Sequence, residues 1–327
     1  MLLENLQFFI NHGFELKKIH RVLTAKQETF MKAYIDFNSG KRQIAQSKFE
    51  QEFFKLMNNI IYGKFVESVR KRTDVKVVKD EKSAQKLTKK PQYMGFQKLE
   101  DDIVIVQQHK RTVTLNKPIA CGFTILENAK HIMYSFWYDV LKKKYGDRIT
   151  LLLSDTDSFV YSVLSEDGYR DLYDMRNLMD LSGYHEDTPL GRFLDLSNKK
   201  VPGKFSDEKP LEIIKEVIAL KPKMYSIITK KLICLENHDC TPECLNGQCA
   251  TAKGITKVAQ RSHKHQHYKD VLHGKTTMMA TNKTIRTFDH NLYTVKINKR
   301  GLSAYDDKKY ILPCGVKTLS YGHYLLE

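Results

Sequence analysis

Long hydrophobic runs are missing from this sequence. No uninterrupted apolar stretch approaches the ~18 residues of a membrane-spanning helix, and Met1-Leu-Leu-Glu-Asn lacks the basic start of a secretory leader. Neither membrane insertion nor export is expected, and with no targeting segment an intracellular protein, nuclear or cytoplasmic, is the expectation. Cysteine is sparse: there are six (Cys121, Cys234, Cys240, Cys244, Cys249 and Cys314), four of them within sixteen residues, which argues against a disulfide scaffold and for a reducing compartment. Internal repeats and low-complexity tracts are absent too, so a solenoid is not expected. Negative charge is in short supply, with 38 Asp and Glu against 54 Lys and Arg, a net charge of +16. Such an excess makes a polyanion, nucleic acid first, the natural partner. What is present, 41% hydrophobic and 28% charged residues in 327, describes a folded globular chain of one large domain or two modest ones.

Hydrophobic periodicity divides the chain. Residues 1 to 50 open with a helix-compatible stretch, break at Gly13, run on as Phe14-Glu-Leu-Lys-Lys-Ile-His-Arg-Val-Leu and turn at Asn38-Ser-Gly, so a helix followed by a strand is expected. From Gln43 to about Arg72, Phe49, Phe53, Leu56, Met57, Ile60, Ile61, Phe65 and Val69 recur at three and four with no proline, which predicts a helix. Residues 71 to 100, Lys-rich and broken by Pro91, read as an irregular or strand-turn connector. Ile103-Val-Ile-Val and Arg111-Thr-Val-Thr-Leu suggest paired strands. A second helix should cover Gly122 to Tyr145 with Ile125, Ala129, Ile132, Met133, Phe136 and Val140 as its buried stripe. Ile149-Thr-Leu-Leu-Leu-Ser and Phe159-Val-Tyr-Ser-Val then read as a β-hairpin tipped by Asp155-Thr-Asp-Ser. Past Pro202-Gly, the stretch from Ile213 to Ile228 surrounds Lys221-Pro-Lys, and a cysteine-rich patch follows.

Two features carry chemistry. Asp155 and Asp157 place two carboxylates at i and i+2 between apolar strands, a crowding relieved either by solvent or by a cation such as Mg²⁺, which binds through one or two carboxylates plus substrate phosphates. Paired metals could then stabilise the attacking and leaving oxygens of a phosphoryl displacement. On the first long helix, Lys55, Asn59, Tyr62 and Gly63 share one side, because Asn59 stands four residues from Lys55, three from Tyr62 and four from Gly63. This row could hold a triphosphate and admit a base pair closely at the glycine. It is equally the polar face of an amphipathic helix.

Read together, these pieces resemble a family. Phe54-Lys-Leu-Met-Asn-Asn-Ile-Ile-Tyr-Gly-Lys-Phe resembles the fingers motif of family B DNA polymerases, Lys-x-x-x-Asn-Ser-x-Tyr-Gly, and Ser154-Asp-Thr-Asp-Ser is similar to their Asp-Thr-Asp-Ser metal motif. Leu220-Lys-Pro-Lys-Met-Tyr-Ser resembles the Lys-x-Tyr element that holds the primer strand, and Ala252-Lys-Gly-Ile the basic segment after it. Lys18-Ile-His-Arg-Val-Leu, Tyr34-Ile-Asp-Phe-Asn, Tyr305-Asp-Asp-Lys-Lys-Tyr and the final Tyr-Gly-His are similar to the protein-primed polymerases of viruses, linear plasmids and Polinton-type transposons. The resemblance implies an α+β fold, a right-hand fragment with an antiparallel-sheet palm, helical fingers and a mixed thumb. Residues 1–50 would be the approach to palm and fingers, 51–110 the fingers helix and basic connector, 111–230 the palm with the metal motif, and 231–327 the thumb. It implies transfer of a deoxynucleotide from a deoxynucleoside triphosphate to a primer 3′-hydroxyl on primer-template DNA at two Mg²⁺ ions, with a terminal protein as a candidate primer. Asp157 would ligate metal directly and Asp155 support the site. Lys55 would neutralise triphosphate charge, Asn59, Tyr62 and Gly63 line the nucleotide pocket, Lys223 and Tyr225 grip the primer terminus, and Lys253 contact the duplex backbone.

The sequence departs from the pattern at Ile60, where the motif has serine, and at Leu153, where it has an aromatic. The family's Asp-x-x-Ser-Leu-Tyr-Pro motif, source of a second metal-binding aspartate, has no counterpart before Lys55, and the Asp-x-Glu carboxylates of the exonuclease are missing, so a C-terminal fragment is expected. Asp36 is a weak substitute. Asp101-Asp102 and Asp306-Asp307 are adjacent pairs, and neighbouring side chains diverge on a strand, so solvated turns are expected there. Cys234, His238, Cys240, Cys244 and Cys249 offer enough soft ligands for a structural Zn²⁺, with free thiols in an insert as the alternative. His263, His265 and His267 alternate, which on a strand would join them to Arg261, Lys264 and Lys269 in a phosphate-facing strip. Two functions from different classes follow: a polymerase fragment, or a catalytically dead DNA-binding relic of one.

Overall fold

The computed structural model describes residues 1–231, 246–274, 276–288, 291–306, 309–314 and 317–326. It is an α+β chain that separates into two compact units, one comprising Met1–Asp139 with Lys200–Gly203, the other Val140–Lys199, Lys204–Phe288 and the chain from Leu292 on.

The first unit holds α1 (Leu3–Asn11), α2 (Lys32–Ile44), α3 (Lys48–Phe65), β1 (Thr73–Val78), α4 (Glu81–Thr88), β2 (Tyr93–Glu100), β3 (Ile103–His109) and α5 (Ile119–Ser135). The helix expected from Gln43 to about Arg72 is α3, shorter at both ends, with Val69 in a separate helical turn beyond it. Its start is fixed by a capping box in which Ser47 accepts the Glu50 N–H and the Glu50 carboxylate accepts the Ser47 N–H. The strand expected near Asp36 is instead α2, which runs straight through Asn38-Ser-Gly. Those turn formers find helical partners: Asn38 is buried and donates to the Tyr34 carbonyl, while Ser39 accepts from Asn58 and Tyr34 donates to the Met57 carbonyl, tying α2 to α3. Asp36 pairs with Lys32 on the exposed side of α2, so it is a solvated helix charge and not a strand ligand.

The connector at 71 to 100 is also more regular than its composition suggests. β1, β3 and β2 form an antiparallel sheet in the order β1-β3-β2, with α4 packed against all three strands and Val106, fully buried, at its centre. Asp80 caps α4 by accepting the Ser83 N–H at 2.7 Å. Both sides of β3 are occupied by β1 and β2, so Arg111-Thr-Val-Thr-Leu does not pair with it as expected, and it forms no strand. The helix predicted over Gly122 to Tyr145 exists as α5, a π-helical stretch Phe136–Lys142 and α6 (Lys143–Tyr145). Its buried stripe is rotated. Met133 and Phe136 are buried as expected, whereas Ile125 and Ile132 are 42% and 43% exposed. Glu127 occupies the buried side, held by Asn5 of α1 at 3.1 Å and by Lys130 at 2.7 Å.

Close approach between α3 and α5 requires Gly122, because a Cβ there would stand 2.4 Å from Val66 Cγ1 at the end of α3. Gly122→Ala should therefore destabilise the protein by about 1–3 kcal/mol through overpacking. Thermal denaturation checks this, with Val66→Ala in the same chain expected to recover part of the loss.

The second unit holds α6, β4 (Ile149–Asp155), β5 (Ser158–Val163), α7 (Gly168–Asp174), β6 (Met179–Asp180), β7 (Phe205–Ser206), β8 (Glu212–Lys221), β9 (Met224–Lys231), β10 (Asn246–Ala252), α8 (Lys257–Arg261), α9 (His265–Gly274), β11 (Thr277–Phe288), β12 (Asn291–Ser303), β13 (Lys309–Ile311) and β14 (Thr318–Ser320). The hairpin predicted at 149 to 163 is β4–β5, and the stretch around Lys221-Pro-Lys is the hairpin β8–β9, whose free side takes β10. Ile218, Leu220, Met224, Ala252, Tyr268, Val271 and Leu302 form the core behind that sheet. The alternating histidines do not lie on a strand. His263 sits between α8 and α9, His265 opens α9, and both are buried: the His265 ring meets Ser226 Oγ at 2.8 Å, and Lys269 is spent on Glu216. A phosphate-facing strip is thereby ruled out for them.

Asp207 follows β7, half-buried, and accepts the Lys209 N–H. Burial pushes its carboxyl above the ordinary range, with Glu208 and Glu212 adding to the rise and the Lys209 N–H opposing it. A carboxyl raised in the folded state binds its proton there in preference to the unfolded chain, so its stabilising share is complete at low pH and fades as pH climbs through the folded value. Asp207→Asn is expected to melt higher than the parent at pH 8, with the difference shrinking toward pH 4.

Candidate active site

Both hairpins of the second unit that carry sequence-predicted residues are bulged just before their tips. On β4 the pairing shifts between Leu151 and Leu153, leaving Leu152 without a partner, and on β8 it shifts between Ala219 and Lys221, leaving Leu220 without one. A bulge bends its strand and re-aims the next side chains. At the β4–β5 tip Thr156 is forced to φ 52, the Asp157 N–H donates to the Asp155 carbonyl at 2.5 Å, and Asp157 is exposed. At the β8–β9 tip Pro222 enters the turn and Lys223 takes φ 59. Left-handed backbone at non-glycine residues costs energy that the surroundings must offset. Here buried Leu220 and Met224 clamp the turn from both sides.

An ion pair joins the two tips. Lys223 Nζ donates to both oxygens of Asp155, at 2.7 and 3.0 Å. The ammonium beside it holds the Asp155 carboxyl below the usual carboxylate range, with Lys253 adding a smaller pull, and the carboxylate in turn raises Lys223 above the ordinary lysine value. Lys253, exposed just past β10, has its backbone N–H on the Lys223 carbonyl at 3.0 Å, so the two cations are tied by main chain. Tyr225 is half-buried on β9, opposite Ala219 of β8 and Thr251 of β10. The structure therefore brings Asp155, Asp157, Lys223, Tyr225 and Lys253 into one unit. Lys55, Asn59, Tyr62 and Gly63 are exposed along α3 of the other.

As a Mg²⁺ site the tip has a partial donor set. Two carboxylates two residues apart suit an ion whose remaining positions are filled by phosphate oxygens and water. Among the described residues no group of three or more His, Cys, Asp or Glu side chains could hold a metal, so a second shared carboxylate is not supplied there. Cys234, His238, Cys240 and Cys244 lie outside the described residues, and Cys249 is a free, half-buried thiol on β10. Asp307 likewise lies outside them, and Asp101-Asp102 form the exposed turn between β2 and β3 as expected.

Sequence reading did not find the Lys223–Asp155 pair, because the partners are 68 residues apart and each motif is legible only by itself. The bulges gave no signal: both fall in the unbroken apolar stretches Leu151-Leu-Leu and Ile218-Ala-Leu, where no alternation exists for a register shift to interrupt.

Residues 2–142 match the model of the family DNA polymerase type B, organellar and viral. The matched stretch spans α1 to α5 and includes Lys55, Asn59, Tyr62 and Gly63, while both hairpin tips lie beyond it. No curated protein and no solved structure matches the chain. The match supports a family B DNA polymerase, and no helix among the described residues is long and apolar enough to cross a membrane.

Proposed function

We propose that this chain is the palm, fingers and thumb portion of a family B DNA polymerase of the protein-primed kind, adding deoxynucleotides to a primer 3′-hydroxyl. Residues 51–110 would act as fingers, 111–230 as palm and 231–327 as thumb. One observation carries the reading: outside the stretch matched to the polymerase family, a lysine of the primer-gripping type is docked on a carboxylate of an Asp-x-Asp hairpin tip. Two independent parts of the chain thus point to one chemistry.

In this reading Asp155 and Asp157 would hold Mg²⁺, which when bound supplies positive charge to the triphosphate. Lys223 leaves Asp155 for a primer phosphate, keeping its charge satisfied in both states. Lys253 stays beside it, because their backbones are bonded. Tyr225, stiffened by ladders on both sides, orients the terminal nucleotide. On α3, Lys55 meets triphosphate oxygens, and Asn59, Tyr62 and Gly63 present an amide, a ring and bare backbone to the incoming nucleotide. A terminal protein is the proposed primer.

A second reading has its own observation. Among the described residues no further carboxylate joins Asp155 and Asp157, and Asp155 is already neutralised by an ammonium. That combination suits a DNA-binding relic as well as an enzyme fragment. Primer extension with purified chain, primer-template DNA, deoxynucleoside triphosphates and Mg²⁺ separates them: slow Mg²⁺-dependent extension supports the polymerase, and tight DNA binding with no extension the relic.

A further inference from the structure

Lys309 has no place in the roles assigned above, yet its side chain reaches the turn that carries Lys223. It opens β13 and donates from Nζ to the Leu220 carbonyl at 2.6 Å, across 89 residues of sequence. Leu220 is the bulge residue of β8, the one position near the tip with no partner on β9. Its side chain is anchored in the core, so its backbone cannot turn out to find water without unseating the bulge. A partly buried carbonyl off its ladder needs a donor, and the lysine supplies one.

We propose that Lys309 is a positioning residue: by capping the Leu220 carbonyl it holds the β8 bulge in the geometry that aims Lys223 at Asp155, and so at the primer strand. The assignment of the primer strand rests on the polymerase reading, whereas the aiming of Lys223 does not. A lysine is an expensive choice for a structural donor. It is half-buried, and burial lowers its ammonium below the ordinary range, with Lys221 adding to the fall and Asp306 opposing it. Lys223 follows Leu220 by three residues, through Lys221 and Pro222, so loosening the bulge swings the ammonium of Lys223 and leaves its strand otherwise intact.

The test is amine-reactive labelling of the full chain with acetic anhydride, read at Lys223 by mass spectrometry, with Lys55 as the internal reference. In the parent, Lys223 should be protected relative to Lys55, and Asp155→Asn should release it several-fold. Lys309→Met, which keeps the stem and removes the donor, is expected to release Lys223 to a similar extent, and Lys309→Arg to restore protection. Unchanged labelling in Lys309→Met with intact near-ultraviolet circular dichroism overturns the proposal. Should that variant not fold, Lys309→Leu, which also lacks a donor, replaces it, and labelling equal to the parent again overturns it. Primer-template affinity measured on the same variants keeps the two readings apart. If Lys309→Met releases Lys223 but no variant alters DNA binding, the positioning role stands and the primer assignment fails. If both hold, Lys309→Met and Lys223→Met should weaken binding non-additively.

Discussion

Raising salt from 50 to 200 mM should weaken primer-template binding by about a hundredfold or more, the loss expected when several phosphates are neutralised by lysine and arginine. The net charge of +16 makes some salt dependence unavoidable, so the sharper expectation concerns slope. Lys223 and Lys253 are joined through the Lys253 N–H and present adjacent cations. If each takes one phosphate, Lys223→Met with Lys253→Met lowers the slope of log affinity against log salt by about 2. A slope unchanged by the double substitution would remove both residues from the interface. Fluorescence anisotropy over a salt series supplies the measurement. Removing Asp155 alone should strengthen binding slightly, because the Lys223 ammonium is then free of its carboxylate.

The second large effect is on chemistry. Asp157 is the exposed carboxylate of the tip, and the Lys223 ammonium pairs directly with Asp155. Asp157→Ala should reduce Mg²⁺-dependent primer extension by about 10²–10³-fold or to the detection limit, the scale of losing one electrostatic stabiliser of the transition state, with duplex affinity retained within about twofold. Substitution by asparagine should do nearly as much harm, because the charge and not the shape is what a hard cation requires. Extension that survives Asp157→Ala would show that the acidic tip is a solvated turn.

How far the sequence could be read depended on the range of the signal. α3 and the β4–β5 hairpin were legible because their apolar positions recur over consecutive turns or strands, although the start of α3, set by Ser47 with Glu50, was read at Gln43. α2 was not, because Asn38-Ser-Gly is a turn sequence by propensity and becomes helical only when α3 supplies Asn58 and the Met57 carbonyl. The β1-β3-β2 sheet was hidden because, of its strand residues, Val106 and Gln108 alone are buried, so β1 and β2 bury no residue that would mark a core face. The histidine spacing of two suggested a strand, yet the segment folds as the junction of two short helices, with Thr256 capping the first. At the site, every residue of the Asp-x-Asp and Lys-x-Tyr elements was legible individually. Their meeting was not, nor was the Lys309 contact to Leu220, since both join segments far apart in the chain.

The most direct test of the central claim is a primer bearing a photoreactive nucleotide at its 3′ end, annealed to template and irradiated on the intact chain. Cross-linked peptides should contain residues 221–226 or 154–158, where the two hairpin tips converge, and the adduct should diminish in Lys223→Met. Adducts confined to other segments, with these two peptides unmodified while the duplex is bound, would contradict the account.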